Sequence, residues 1–144
     1  MTVFTSGYQG ETIFGFLDKL ASEGINAVVD IRQRPFSRKP GFSKKSLQEN
    51  LKKVGIDYYH FQELGTPEPL REFLANKGDY ESFFERYKSF IVEYEDSLHD
   101  IAGMGTKRKI CILCFEKDPH QCHRKIVTEA LSSFSAQRIE IRHL

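Results

Sequence analysis

A chain of 144 residues, 40% hydrophobic and 28% charged, has the size and composition of one globular domain with a real core, so one domain is expected. A formal net charge of +1 argues against a general nucleic-acid binder, and no run reaches the roughly 20 apolar residues of a membrane span. The opening "MTVFTSGYQG" lacks the basic and apolar regions of a secretory leader, and three cysteines without framework spacing read as reduced thiols. A cytoplasmic location with no membrane partner is therefore expected.

In chain order, "TVFTSG" reads as a short apolar strand. It is followed by "ETIFGFLDKLASEG", where Phe14, Leu17, Leu20 and Ala21 recur at helical spacing and Gly24 stops the helix. "INAVVDIR" is β-branched and apolar up to Asp30. After a Pro- and Gly-marked loop, a second helix is predicted from Ser43 to Val54, closed by Gly55. "DYYHF" is a third strand. "GTPEPLREFL" opens on turn residues and leads into the longest predicted helix, from Asp79, with Phe83, Tyr87, Phe90, Ile91, Tyr94 and Leu98 as its apolar stripe.

"KICILCF" is apolar on both faces, as in a strand covered on both sides, and "RIEIRHL" alternates like a strand near a sheet edge. The resulting order βαβαβαβαβ defines a single α/β domain over residues 1–144, with an open, mostly parallel five-stranded sheet between helices.

Ligands of such sheets bind outside the carboxyl ends of the strands. Ser6 to Tyr8, Asp30 with Arg32, His60, and Glu116 fall at those ends. The stretch "IRQRPFSRKPGFSKKSLQ" adds Arg32, Arg34, Arg38, Lys39, Lys44 and Lys45 with no acid among them, a local concentration of positive charge.

The densest chemistry lies in "CILCFEKDPHQCHRKIV". Cys111 and Cys114 are three apart on a strand and so face opposite sides, which argues against their sharing a structural zinc; no metal is expected. Asp118, Pro119 and Gln121 have the spacing of a capped helix start. Cys122 is then expected in the first helical turn beside Arg124 and two histidines, where the helix dipole and positive neighbours favour a thiolate. His123 heads a stripe through Val127, Ala130 and Phe134, so it is either a hydrogen-bonded histidine at the core's edge or a site residue. Arg124, facing Arg32 and Arg38 across the strand ends, would complete a fork of cations for a phosphate or carboxylate. A phosphatase-like or rhodanese-like cysteine loop needs an arginine several residues on, and the sixth residue after Cys114 is His120.

The blocks "TSGYQG", "VVDIRQRPFSRKPGFSKKSL", "LGTPEPLR" and "LCFEKDPHQCHRKIV" together resemble the successive signature blocks of the domain of unknown function family number 488. The resemblance implies a three-layer Rossmann-like fold. It carries family positions onto Gly7, Tyr8, Asp30, Arg32, Pro35, Ser37, Arg38, Phe42, Gly65, Cys114, Glu116, Cys122, His123 and Arg124, with Ser6 standing where the family usually has an aliphatic residue.

The expected site therefore combines Asp30, Glu116, Cys122 and His123 as catalytic groups with Gly7, Tyr8, Arg32, Ser37, Arg38 and Arg124 as ligand contacts. One expectation is a hydrolase or transferase acting on a nucleotide, nucleic acid or other phosphorylated substrate. The alternative is a non-catalytic module that binds an anionic small molecule or nucleic-acid phosphate, with Phe36 and Phe42 as stacking faces. Both readings place the two sequence blocks in one cleft, with the second and fourth strands flanking the first. The cofactor and the oligomeric state stay open.

Overall fold

The computed structural model describes residues 1–144. Five strands, β1 (Thr2–Gly7), β2 (Ala27–Asp30), β3 (Asp57–His60), β4 (Ile110–Cys114) and β5 (Glu140–His143), form one sheet in the order β3-β2-β4-β1-β5. All four pairings are parallel. The helices are α1 (Ile13–Ser22), α2 (Lys44–Lys53), α3 (Glu68–Lys77), α4 (Tyr80–Ile91), α5 (Glu95–Lys107) and α6 (Arg124–Leu131). None is long and apolar enough to cross a membrane.

Strand position follows hydrophobicity. β4 is buried at every position and takes the centre, whereas the partly exposed β3 and β5 form the edges. This corrects the expected order: β1 is flanked by β4 and β5, and β4 lies between β1 and β2. A strand with no polar position must be covered on both faces and paired on both sides, a demand that the four-residue β2 does not make more strongly.

Alternation along the strands divides the core in two. Phe4, Val28, Cys111 and Leu113 pack with Phe16 and Leu20 of α1 and Leu47 and Leu51 of α2. Val3, Val29, Ile112 and Cys114 pack with Tyr87 and Ile91 of α4, Leu98 and Ile101 of α5, and Val127 and Leu131 of α6. Each fully buried large aliphatic or aromatic side chain here contributes about 1.5–3 kcal/mol of transfer free energy. The covering layer switches where the chain reverses its travel across the sheet, as crossovers of one hand require. A crevice opens at the carboxyl ends of β1, β4 and β2, where exit loops leave towards opposite layers.

The long helix expected from Asp79 is broken. Asp79 does start α4, accepting from Ser82 N at 3.2 Å, but α4 ends at Ile91 and a 3-10 turn at Val92–Tyr94 leads into α5. The apolar stripe survives the break because Phe83, Tyr87, Ile91 and Leu98 all remain buried. Residues 68–77, read as an approach to that helix, form α3, which buries no residue and ends at Gly78 with φ of 63°.

Candidate functional site

Two close backbone approaches bring the exit loops together. A Cβ on Gly7 would lie 1.7 Å from the Glu116 carbonyl oxygen, and one on Gly65 would lie 2.2 Å from Gln33 N. Only glycine allows β1 to meet the loop after β4, and the turn before α3 to meet the loop after β2. Between these loops lies a cavity of about 320 Å³, within the usual range for small-ligand sites.

The β2 arm is built on Asp30 and Arg32, both buried. Asp30 accepts from Arg32 N at 3.0 Å, from Arg32 Nε and Nη2 at 2.9 and 2.7 Å, and from the Tyr58 hydroxyl at 2.5 Å. A carboxylate at a buried strand end requires such partners, as expected. Burial alone would disfavour the Arg32 charge, but the bonds and charge of Asp30 outweigh it and hold the guanidinium firmly cationic. Burial and the Asp30 charge likewise push the Tyr58 phenol well above its ordinary range, so it stays a donor.

Arg32 Nη1 also donates to Phe42 O at 2.7 Å and to the Tyr8 hydroxyl at 3.3 Å. Tyr8 stacks on Phe42 at 4.5 Å between ring centroids. His60 Nε2 lies 2.7 Å from the Arg32 carbonyl and closes the arm from the β3 side.

The β4 arm holds the thiols. Cys111 faces the α1–α2 layer and Cys114 the opposite layer, as alternation requires, and burial pushes the Cys111 thiol up to about 12. Asp118 caps a 3-10 turn, Pro119–Gln121, through His120 N at 2.9 Å, and α6 begins only at Arg124. This corrects the expected helix start. Cys122 sits in extended backbone between the two, outside the first turn of α6, and the helix start reaches it only through Arg124 N, which donates to Cys122 Sγ at 3.5 Å. Burial, with Cys114 beside it, pushes its thiol well above the free range, against the expected thiolate.

His123 Nε2 lies 3.1 Å from the Ile31 carbonyl, which can only accept, so Nε2 carries the proton and Nδ1 is left facing Cys122 Sγ at 3.7 Å.

Arg124 turns inward. It is the largest fully buried side chain, donating to Thr5 Oγ1 at 3.2 Å, to Cys114 Sγ at 2.9 Å, to Lys117 O at 2.9 Å and to Glu116 O. It therefore pins the β4 exit loop from beneath and does not face Arg32 across the cavity, as the sequence reading had it.

Of the expected site residues, Tyr8, Arg32, Ser37, Glu116, Cys122 and His123 line one cavity, although they come from blocks far apart in sequence. Asp30 and Arg124 lie beneath it, Gly7 serves the loop contact, and Arg38 is exposed outside the lining. Sequence reading did not select Arg34, Arg71, Gln33, Thr66 or Cys114 for the site, yet all line the cavity. Arg34 reaches Glu68 at 3.6 Å, whereas Arg71, on α3, has neither an ion-pair nor a side-chain hydrogen-bond partner. Arg34 was visible in the basic run, and Arg71 closes the block "LGTPEPLR", from which only Gly65 was taken as a family position.

The fold is that of a parallel α/β domain with a cleft at the carboxyl edge of its sheet. The chain belongs to the family described as domain of unknown function DUF488, whose sequence profile matches residues 12–131. No curated protein and no solved structure matches the chain.

Proposed function

We propose that this cleft binds a phosphate-bearing anion, a nucleotide or nucleic-acid phosphate among its forms, and acts on it as a hydrolase or transferase. The observation that carries the reading is that Arg32, Arg34 and Arg71 all line one cavity, with Arg71 unpaired. A guanidinium free to make charge-assisted bonds is the common currency of phosphate recognition. Phe36 and Phe115, both exposed at the cavity, offer faces for a base.

Within this reading Glu116 and His123 are the acid–base candidates, because the Glu116 carboxylate carries no hydrogen bond and His123 Nδ1 has only the Cys122 thiol, at 3.7 Å, as its partner. Asp30 acts through Arg32 and Arg124 through the β4 exit loop, as positioning residues. The saturation of Asp30 favours the second reading, a binding module without turnover, since it withdraws one acid from the chemistry.

A thermal-shift series with pyrophosphate, nucleoside mono- and triphosphates and a short oligonucleotide at low ionic strength tests binding. At least one should raise Tm in a saturable way, and no rise with any of them contradicts the proposal. Hydrolysis of a binding phosphoester that is lost in Glu116→Gln, with binding retained, separates the enzyme from the module.

A further inference from the structure

The floor of the cleft gathers a second set of donors. The Sγ atoms of Cys114 and Cys122 and a carboxylate oxygen of Glu116 all lie within 4.8 Å of one another. We propose that these three side chains form a binding site for one thiophilic divalent cation, Zn²⁺ in the first instance, with its fourth position open to the cleft.

The donor spacing is close to what the ion needs. With Zn–S near 2.3 Å and Zn–O near 2.0–2.2 Å, tetrahedral ligands stand roughly 3.5–3.8 Å apart, so small side-chain rotations close the site. Two sulfurs and one oxygen select against Mg²⁺ and Ca²⁺, which require oxygen cages. The pairing differs from the one that the sequence spacing invited: Cys111 faces the other layer, and Cys114 finds its thiol partner eight residues on, across the 3-10 turn at Pro119–Gln121.

The surroundings are those of a ligand sphere. Arg124 Nη1 donates to Cys114 Sγ at 2.9 Å and Arg124 N to Cys122 Sγ at 3.5 Å, so both sulfurs already accept N–H bonds that orient them. Arg124 is fully buried yet has no carboxylate partner. Two thiolates, one carboxylate, one guanidinium and a doubly charged ion sum to zero, which gives this buried cation its counter-charge.

Three protein ligands facing a cavity, rather than four closing around the ion, is the arrangement of a catalytic zinc that keeps a water in the open position, and with Glu116 on the ion His123 would be left as the acid–base group. That extension rests on the proposed function of the cleft; the metal site itself does not.

Cobalt titration of the purified full chain under reducing conditions tests the site, because thiolate-to-Co²⁺ charge transfer in the near ultraviolet reports sulfur ligation directly. One Co²⁺ per chain, displaced by Zn²⁺, is expected, with the band at full strength in Cys111→Ser and lost in Cys114→Ser and Cys122→Ser. Should those two variants fail to fold, Glu116→Gln, at a partly exposed position, should weaken Zn²⁺ binding tenfold or more at unchanged fold. A folded wild-type chain without a charge-transfer band, or one whose Zn²⁺ affinity is untouched by Glu116→Gln, overturns the proposal. Because the titration contains no phosphate ligand, its result is independent of whether the cleft binds anions.

Discussion

Arg32 and Arg124 sit in the same cleft region and are opposite in use. Arg32 reaches the cavity from a frame of Asp30, Phe42 O and Tyr8, while Arg124 spends its donors on Thr5, Cys114 and two loop carbonyls. Breaking the Asp30–Arg32 pair leaves a buried guanidinium without its counter-charge, so Asp30→Asn should cost about 3–5 kcal/mol in a urea titration. A loss below about 1 kcal/mol would mean that the pair contributes little to the arm. Gly7→Ala is expected to be worse tolerated than any surface change. Its Cβ would overlap the backbone at Glu116 and Lys117, which no side-chain rotation relieves, and recovery of soluble protein with wild-type Tm would contradict that geometry. Ser6 adds a smaller cost: its Oγ is buried without a partner at the position where an aliphatic residue would need none.

At the scale of elements, the parts that were legible in the sequence are those whose periodicity and stop signals agree. The five strands come from short apolar, β-branched or alternating runs, and α1 and α2 from segments stopped by Gly24 and Gly55. The break between α4 and α5 was not legible, because the same stripe crosses it and no proline or glycine marks Val92–Tyr94. α3 escaped because it buries nothing, so no apolar stripe announces it, and Arg71 was missed with it. The cap at Asp118 was read at the right residue for the wrong helix: it holds a 3-10 turn, which displaces Cys122 from α6. Charge misled most at Arg124, since a reading by residue type places an arginine outside, whereas the fold buries it among carbonyls. Asp79 offers a test at this scale. Its side chain holds both Ser82 N and Ser82 Oγ, so Asp79→Ala should lower stability, read as a lower urea midpoint at constant m. An unchanged midpoint would show that α4 is held by its packing alone.

For the whole molecule, the decisive feature is the insertion of β4 between β1 and β2. That order sets the Cys114–Arg124 block directly beside the Asp30–Ser37 block, and the reversal of direction across the sheet opens the crevice between them. α3 then closes one wall and supplies Arg71, the cavity's unpaired guanidinium. Calorimetric titration of pyrophosphate and of ATP into wild type, Arg71→Ala and Arg38→Ala at low and moderate salt tests whether Arg71 holds a phosphate in the cleft. Saturable binding to wild type is expected, weaker by about 1.5–3 kcal/mol in Arg71→Ala at unchanged Tm and little altered in Arg38→Ala, which lies outside the cavity. Equal affinity in wild type and Arg71→Ala, or no binding to wild type by either anion, would contradict it.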